Sequence, residues 1–183
     1  MNIEEYTVPY KCTEFMHEKN ILVIAPHSDD EIFGCGGTVA KALAGGSHVK
    51  VVVVSKSFNS QEREDESLCA ASALGYKEVE FWGFADGEVF SQKEKLSLDI
   101  LQYMEVFKPD LIFIPSIWEM HRDHIDCCVA SVEALKSYSA NIKVAMYEVG
   151  VPLYPTDLVD VSEVYGIKKK AMKCFVSQQK TQN

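Results

Sequence analysis

Residues 21–25 (Ile-Leu-Val-Ile-Ala) and 49–54 (Val-Lys-Val-Val-Val-Val) are almost continuously apolar. A strand with one wet face alternates apolar and polar residues, whereas a run without alternation belongs to a parallel strand buried on both faces. Shorter runs at 79–82, 111–114 and 143–147 complete a set of five strands. Between them lie stretches of helical period. The first, 38–44, is closed by Gly45-Gly46. The second, 61–74, puts Leu68, Ala71 and Leu74 on one face and stops at Gly75. The third, 92–107, repeats Leu96, Ile100, Tyr103, Met104 and Phe107 and ends before Pro109; a fourth follows His124 with Ile125, Val129, Val132 and Leu135 as its apolar face. Strands alternating with helices build βαβ units with right-handed crossovers. The expected fold class is α/β, a doubly wound, mainly parallel Rossmann-like sheet with helices on both faces and strand order 3-2-1-4-5. No internal repeat or low-complexity linker divides the 183 residues, a length that suits one domain with one core.

The first strand runs into Pro26-His27-Ser28-Asp29-Asp30-Glu31, followed by Gly34, Gly36 and Gly37. Packing does not explain a histidine and three acids at a strand end, because charged groups are almost never buried unpaired. Adjacent carboxylates repel one another unless a cation, a proton or solvent intervenes. A second cluster, His121-Arg122-Asp123-His124, follows the fourth strand. In the expected order, strands one and four adjoin where the sheet reverses direction, and ligands bind beyond the carboxyl ends of strands at that point. A catalytic zinc site keeps three protein ligands and one open position; His27, Asp30 and His124 can supply three. Of His121 and His124, three residues apart, one can bind metal while the other reaches toward substrate. Asp29 can accept a proton from water, whose pKa a divalent cation lowers from about 15.7 to about 7. Histidine and aspartate suit zinc, iron or cobalt alike.

Blander readings exist for each part. A lone histidine at a strand end caps a sheet, and an Asp-Asp-Glu run makes a turn or a helix N-cap. Both clusters at matching strand ends favour metal chemistry. The Gly34-x-Gly36-Gly37 turn invites a nucleotide-binding reading. The charged and polar residues before the glycines break that fingerprint, and strand two ends in Ser55-Lys56 rather than an acid for a ribose. His17 and His48 have no such context and read as surface residues.

With 27 acidic and 18 basic residues the formal charge is −9, which argues against a nucleic-acid partner. Lys168-Lys169-Lys170 reads as a solvated helix face. No run is long and apolar enough for a membrane span. The acidic start, Met1-Asn2-Ile3-Glu4-Glu5, lacks the basic and apolar regions of a secretory signal. None of the six cysteines forms a C-x-x-C pair, so they read as free thiols in a reducing, cytoplasmic setting. Phe81, Trp82 and Phe84 read as core rather than interface, and the oligomeric state is left open.

These motifs resemble the LmbE-like, or PIG-L, family of zinc-dependent N-acetylglucosaminyl deacetylases. Its signature is a strand, P-H-x-D-D-E, a glycine-rich turn and a later H-x-D-H. The resemblance extends from about residue 20 to 179 through Arg63-Glu64 to Ala70 with Leu74-Gly75, Asp86-Gly87, Tyr147-Glu148-Val149 with Pro152-Leu153, Asp160-Val161-Ser162 and Ser177-Gln178. It implies Zn2+, or another divalent metal such as Fe2+, on His27, Asp30 and His124. It implies Asp29 as general base and later acid, and His121, oriented by Asp123, as stabiliser of the oxyanion. Arg63 would bind a sugar hydroxyl or phosphate, against the alternative of a surface ion pair with Glu64 or Glu66, and Asp86 would contact a sugar hydroxyl. The implied activity removes the acetyl group from an N-acetylated sugar or small glycoside. An amidase on a non-sugar amide and a non-catalytic sugar-binding relative are the alternatives. Two departures stand out. The chain ends soon after Ser177-Gln178, where family members continue, which marks a shortened domain over 1–183 or an incomplete C-terminus. Glu119 brings negative charge to the expected rim of the site.

Overall fold

The structure, a computed structural model, describes Cys12 and residues 18–180, with side chains to 178. Its strands are β1 (Asn20–Ala25), β2 (His48–Lys56), β3 (Glu78–Ala85), β4 (Leu111–Pro115) and β5 (Lys143–Tyr147). They form one sheet in the order β3-β2-β1-β4-β5, and every pairing is parallel. The helices are α1 (Asp30–Phe33), α2 (Gly36–Ala44), α3 (Ser60–Leu74), α4 (Lys93–Phe107), α5 (Arg122–Ser137), α6 (Tyr165–Met172) and α7 (Val176–Lys180).

The strand pleat sorts β1 between two cores. Ile21, Val23 and Ala25 join one cluster with Val39, Ala40 and Ala42 of α2 and Ala70, Ala71 and Leu74 of α3. Leu22 and Ile24 join the other with Leu96, Ile100 and Met104 of α4 and Cys127, Cys128, Ala130 and Ala134 of α5. All five residues 21–25 are fully buried, as the unbroken apolar run requires. Phe81 packs against the first cluster and Trp82 against the second, while Phe84 is buried in the second.

Two helix faces differ from the sequence expectation. Leu68 is exposed; α3 instead buries Arg63, Glu66 and Ser67 beside Ala70, Ala71 and Leu74. Its inner face is thus partly polar and points toward the site. Beyond Asp123, His124 and Asp126 in its first turns, α5 buries the small residues Cys127, Cys128, Ala130, Ser131 and Ala134, with Val132 and Leu135 only partly buried. Small side chains let this helix lie close to the sheet. The free-thiol reading also needs correction, since Cys69 on α3 and Cys174 form a disulfide with a Cα–Cα distance of 5.9 Å. Cys12, Cys35, Cys127 and Cys128 are free. The bond ties α3 to the segment between α6 and α7.

The glycines after the site loop serve packing rather than a phosphate cradle. A Cβ on Gly34 would collide with the Tyr147 ring and come within 2.9 Å of the Asp30 carbonyl; one on Gly37 would lie 2.8 Å from Val161. Tyr147 has little room to yield, because its hydroxyl donates to the Ile24 carbonyl at 2.7 Å. At Gly36 the nearest atom to an added Cβ is 3.4 Å away. Gly34→Ala is therefore expected to destabilise the fold by about 1–3 kcal/mol, the usual range for overpacking, with Gly36→Ala near neutral. Thermal or urea unfolding of the two variants checks this.

Candidate metal and acid–base site

The carboxyl ends of β1 and β4 open onto a cleft of about 510 Å³, lined by His27, Asp29, Phe58, Arg63, Asp86 and His121 among others. The β1 chain turns sharply after Ser28. Asp29 has φ 142°, a region that non-glycine residues rarely adopt, and α1 starts at the next residue. Two contacts hold the turn. The Asp29 N–H donates to Glu31 Oε2 at 3.1 Å, and Arg63 Nη2 donates to Asp29 Oδ2 at 2.9 Å. Arg63 also grips the Ser28 carbonyl. The bend leaves Asp29 beside the cleft and turns Asp30 inward.

Three ligand-type atoms converge there. His27 Nδ1 lies 3.2 Å from Asp30 Oδ2 and 3.2 Å from His124 Nε2, and His124 Nε2 lies 3.1 Å from Asp30 Oδ2. Bonds of about 2.0–2.1 Å set the donors around a tetrahedral ion about 3.3 Å apart, so this triangle is close to the required size. A proton can bridge one edge of such a triangle but not all three. The His27 N–H donates to Asp30 Oδ2 at 2.9 Å, and this fixes the carboxylate. These residues fit a divalent cation.

The surroundings carry a negative excess that a cation would relieve. His27 Nε2, on the far side of its ring, lies 3.1 Å from Asp86 Oδ1 and 3.4 Å from Asp123 Oδ2. Burial alone would lower the His27 pKa, but Asp123, Asp30 and Asp86 outweigh it and push it up to about 10. Burial likewise opposes ionisation of Asp30, yet its hydrogen bonds to His124 and His27 hold it well below the ordinary carboxylate range. Asp29 is pushed up to about 6 by burial and by the charge on Asp30, against the pull of Arg63. Glu31 is buried and pushed up to about 8, chiefly by desolvation. Its Oε1 accepts from the Ser67 hydroxyl at 3.2 Å.

The structure brings His27, Asp29, Asp30, Asp86, His121, Asp123 and His124 into one neighbourhood. The His121 ring stands edge-on to that of His27 at 4.6 Å, exposed at the start of α5. Asp123 differs from the sequence expectation. Its carboxylate faces His27 and accepts from the Gly87 N–H at 2.7 Å, while only its backbone N–H reaches His121 Nδ1, at 3.3 Å. By side-chain contact it orients His27 rather than His121. Arg63 is buried, not a surface ion pair. It sits under Asp29, with Glu66 3.8 Å from its Nη1, and Glu64 faces Lys56 instead. Glu119 is buried as well and is not a charge on the rim; its carboxylate accepts from the backbone N–H groups of residues 149–151. His48 pairs with Glu78 at the surface, and His17 lies outside the described residues.

Sequence reasoning named Glu66 only as a partner for Arg63 and missed its second role: its carboxylate accepts from the Ser177 N–H at 2.6 Å and from its hydroxyl at 2.7 Å. With the nearby disulfide it fastens the C-terminal segment, whose Ser177 and Gln178 line the cleft. The available signal was helical spacing, since Glu66 lies one turn beyond Arg63 on the same face of α3.

The PIG-L family model, described as GlcNAc-PI de-N-acetylase, matches residues 22–135, a stretch that contains the whole triangle and Asp29. The chain belongs to this family. The diacetylchitobiose deacetylase of Thermococcus kodakarensis is 26% identical over an alignment 192 positions long, which covers 90% of this PIG-L chain and 72% of the relative. Among solved structures, N,N'-diacetylchitobiose deacetylase from Pyrococcus horikoshii superposes with a TM-score of 0.77 at 23% identity, covering 86% of this chain and 69% of that one. A zinc-inhibited form of the teicoplanin deacetylase Orf2 gives 0.75 at 17% identity, covering 87% and 85%. At these identities the two structures speak for the fold.

Proposed function

We propose that this PIG-L protein is a divalent-metal-dependent hydrolase that removes the acetyl group from an N-acetylated sugar or small glycoside. The observation that carries the reading is the triangle of His27 Nδ1, Asp30 Oδ2 and His124 Nε2, with the carboxylate of Asp29 beside it in an open cleft. The diacetylchitobiose deacetylase of Thermococcus kodakarensis supports the choice of reaction and of an N-acetyl sugar.

His27, Asp30 and His124 would hold the ion. When bound, a divalent cation supplies Lewis acidity toward the acetyl carbonyl and toward water. Asp29 takes the proton from the attacking water as the new C–O bond forms and the carbonyl electron pair moves to oxygen; it then delivers that proton to the amine nitrogen as the tetrahedral state collapses, the carbonyl re-forms and the C–N bond breaks. Arg63 holds the Asp29 carboxylate in place through its 2.9 Å contact. His121, exposed on the same cleft, donates to the oxygen that becomes negative in the tetrahedral state. Asp86 and the hydroxyls of Ser55, Ser57 and Ser177 offer polar partners to sugar hydroxyls.

The test is a two-part assay. Purified protein is stripped and reloaded with zinc or iron(II), and amine release is followed across N-acetylated mono- and disaccharides and simple acetamides. Metal-dependent release from the sugars but not the acetamides is the expected result. Equal turnover of simple acetamides would favour a general amidase, and absence of metal uptake would overturn the reading.

A further inference from the structure

Metal ligation through an imidazole uses one ring nitrogen and leaves the other to carry the proton, and the partner of that second nitrogen fixes the tautomer and the ring plane. For His27 the partners are Asp86 and Asp123. For His124 the second nitrogen is Nδ1. It is buried and makes no hydrogen bond among the described residues. A buried imidazole N–H with no acceptor is costly. The carboxylate facing it is Glu119 Oε2, at 3.6 Å.

Glu119 is itself built in. It is 4% exposed, in the loop between β4 and α5. Its Oε1 accepts from the Val149 N–H at 2.7 Å, and its Oε2 from the Gly150 N–H at 3.0 Å. The Val151 N–H points at Oε1 from 3.4 Å. The chain after β5 comes this close because residue 150 is glycine: a Cβ there would lie 3.1 Å from Glu119 Oε2. Backbone donors thus hold a carboxylate beside the unpaired nitrogen of a residue in the triangle.

We propose that Glu119 is a positioning residue for the metal centre. Its carboxylate keeps the His124 proton on Nδ1 and aims the Nε2 lone pair into the triangle with His27 and Asp30. Glu119 also links the loop after β5 to the site, through the residue 149–151 N–H groups. The inference rests on the metal reading and assigns Glu119 a role that neither clustered motif contains.

Glutamine at 119 keeps an oxygen for the backbone donors but presents an amide in place of the second acceptor. The experiment titrates metal-free wild type and Glu119→Gln with zinc against a chelator of known affinity. Zinc affinity about 10- to 100-fold weaker in the variant is expected, as for other partners of ligating histidines, with the metal-free unfolding temperature little changed. A merely structural role for Glu119 would lower that temperature and leave zinc affinity at the wild-type level, which overturns the proposal. A second measurement needs no variant: in zinc-loaded wild type, nitrogen-15 spectra of the histidines should show His124 with a slowly exchanging Nδ1–H. A freely exchanging or absent Nδ1–H overturns the proposal even if the variant does not fold. Wild-type protein that takes up no zinc overturns the metal reading itself, an outcome distinct from wild type and variant binding zinc equally.

Discussion

Asp29→Asn is expected to lower kcat by about 10²- to 10⁴-fold, the usual contribution of a general base, while the protein keeps its wild-type zinc content. Asparagine is the right replacement because residue 29 has φ 142° and asparagine is among the few residues that tolerate positive φ. Its amide oxygen can still accept from Arg63, so the turn survives and only proton transfer is lost. Metal analysis and steady-state kinetics on the same preparation separate this from collapse of the site. The pH profile gives a second signature. Burial and the neighbouring Asp30 push the Asp29 carboxyl up to about 6. A base must be ionised, so wild-type kcat/KM falls as pH drops through the Asp29 pKa. A cation held by Asp30 lowers that pKa and moves the acid limb downward from about 6. The residual activity of the asparagine variant should lack this limb. An unaltered profile, or kcat close to wild type, would remove Asp29 from the reaction.

The fold was legible because its three central strands, β2, β1 and β4, are buried on both faces. An unbroken run such as 21–25 has few places to go other than the middle of a parallel sheet, and the observed order β3-β2-β1-β4-β5 follows from placing that strand between its neighbours. The members of the site were legible because histidines and acids crowded at two strand ends have no packing explanation. Roles that depend on side-chain direction were less so. Nothing in the sequence tells whether Asp123 faces His121 or His27; the choice is made by the Gly87 N–H, which holds its carboxylate toward β1. The sequence left Arg63 and Glu66 open between a substrate contact made by Arg63 and a surface ion pair of the two, because a charged pair one helical turn apart is ordinary on a solvated helix. Their burial depends on Ser28 and Ser177, 35 and 111 residues away in sequence. Of the C-terminal helices only the solvated lysine face at 168–170 was legible, for a related reason. Residues 165–172 are a short, lysine-rich stretch, and they are fixed by long-range contacts, among them Lys168 Nζ donating to the Phe33 carbonyl at 2.8 Å and the Cys69–Cys174 bond.

Asp30→Asn should abolish zinc-dependent stabilisation as well as turnover. Asp30 Oδ2 is the point common to all three contacts with the ligand residues: it faces both imidazoles and accepts the His27 N–H. Asparagine keeps the shape, and its amide oxygen can still accept that N–H, so the metal-free fold should persist. It loses the only formal negative charge in the triangle, and a neutral amide is a poor ligand for zinc. The loss in affinity should exceed the about 10- to 100-fold typical of partners behind the ligands. An ion that binds only the native state stabilises it by RT ln(1 + [L]/Kd), about 4.1 kcal/mol at a thousandfold excess over Kd. Thermal unfolding of wild type should therefore shift upward with added zinc, and Asp30→Asn should stay flat over the same range. The two imidazoles hold Asp30 well below the ordinary carboxylate range, so its charge stabilises the metal-free fold, and the variant should unfold at a somewhat lower temperature than metal-free wild type while being inactive. A cooperative metal-free transition that no longer responds to zinc is expected of a ligand and not of a residue that merely packs. A variant that still shifts with zinc as wild type does would place the ion elsewhere.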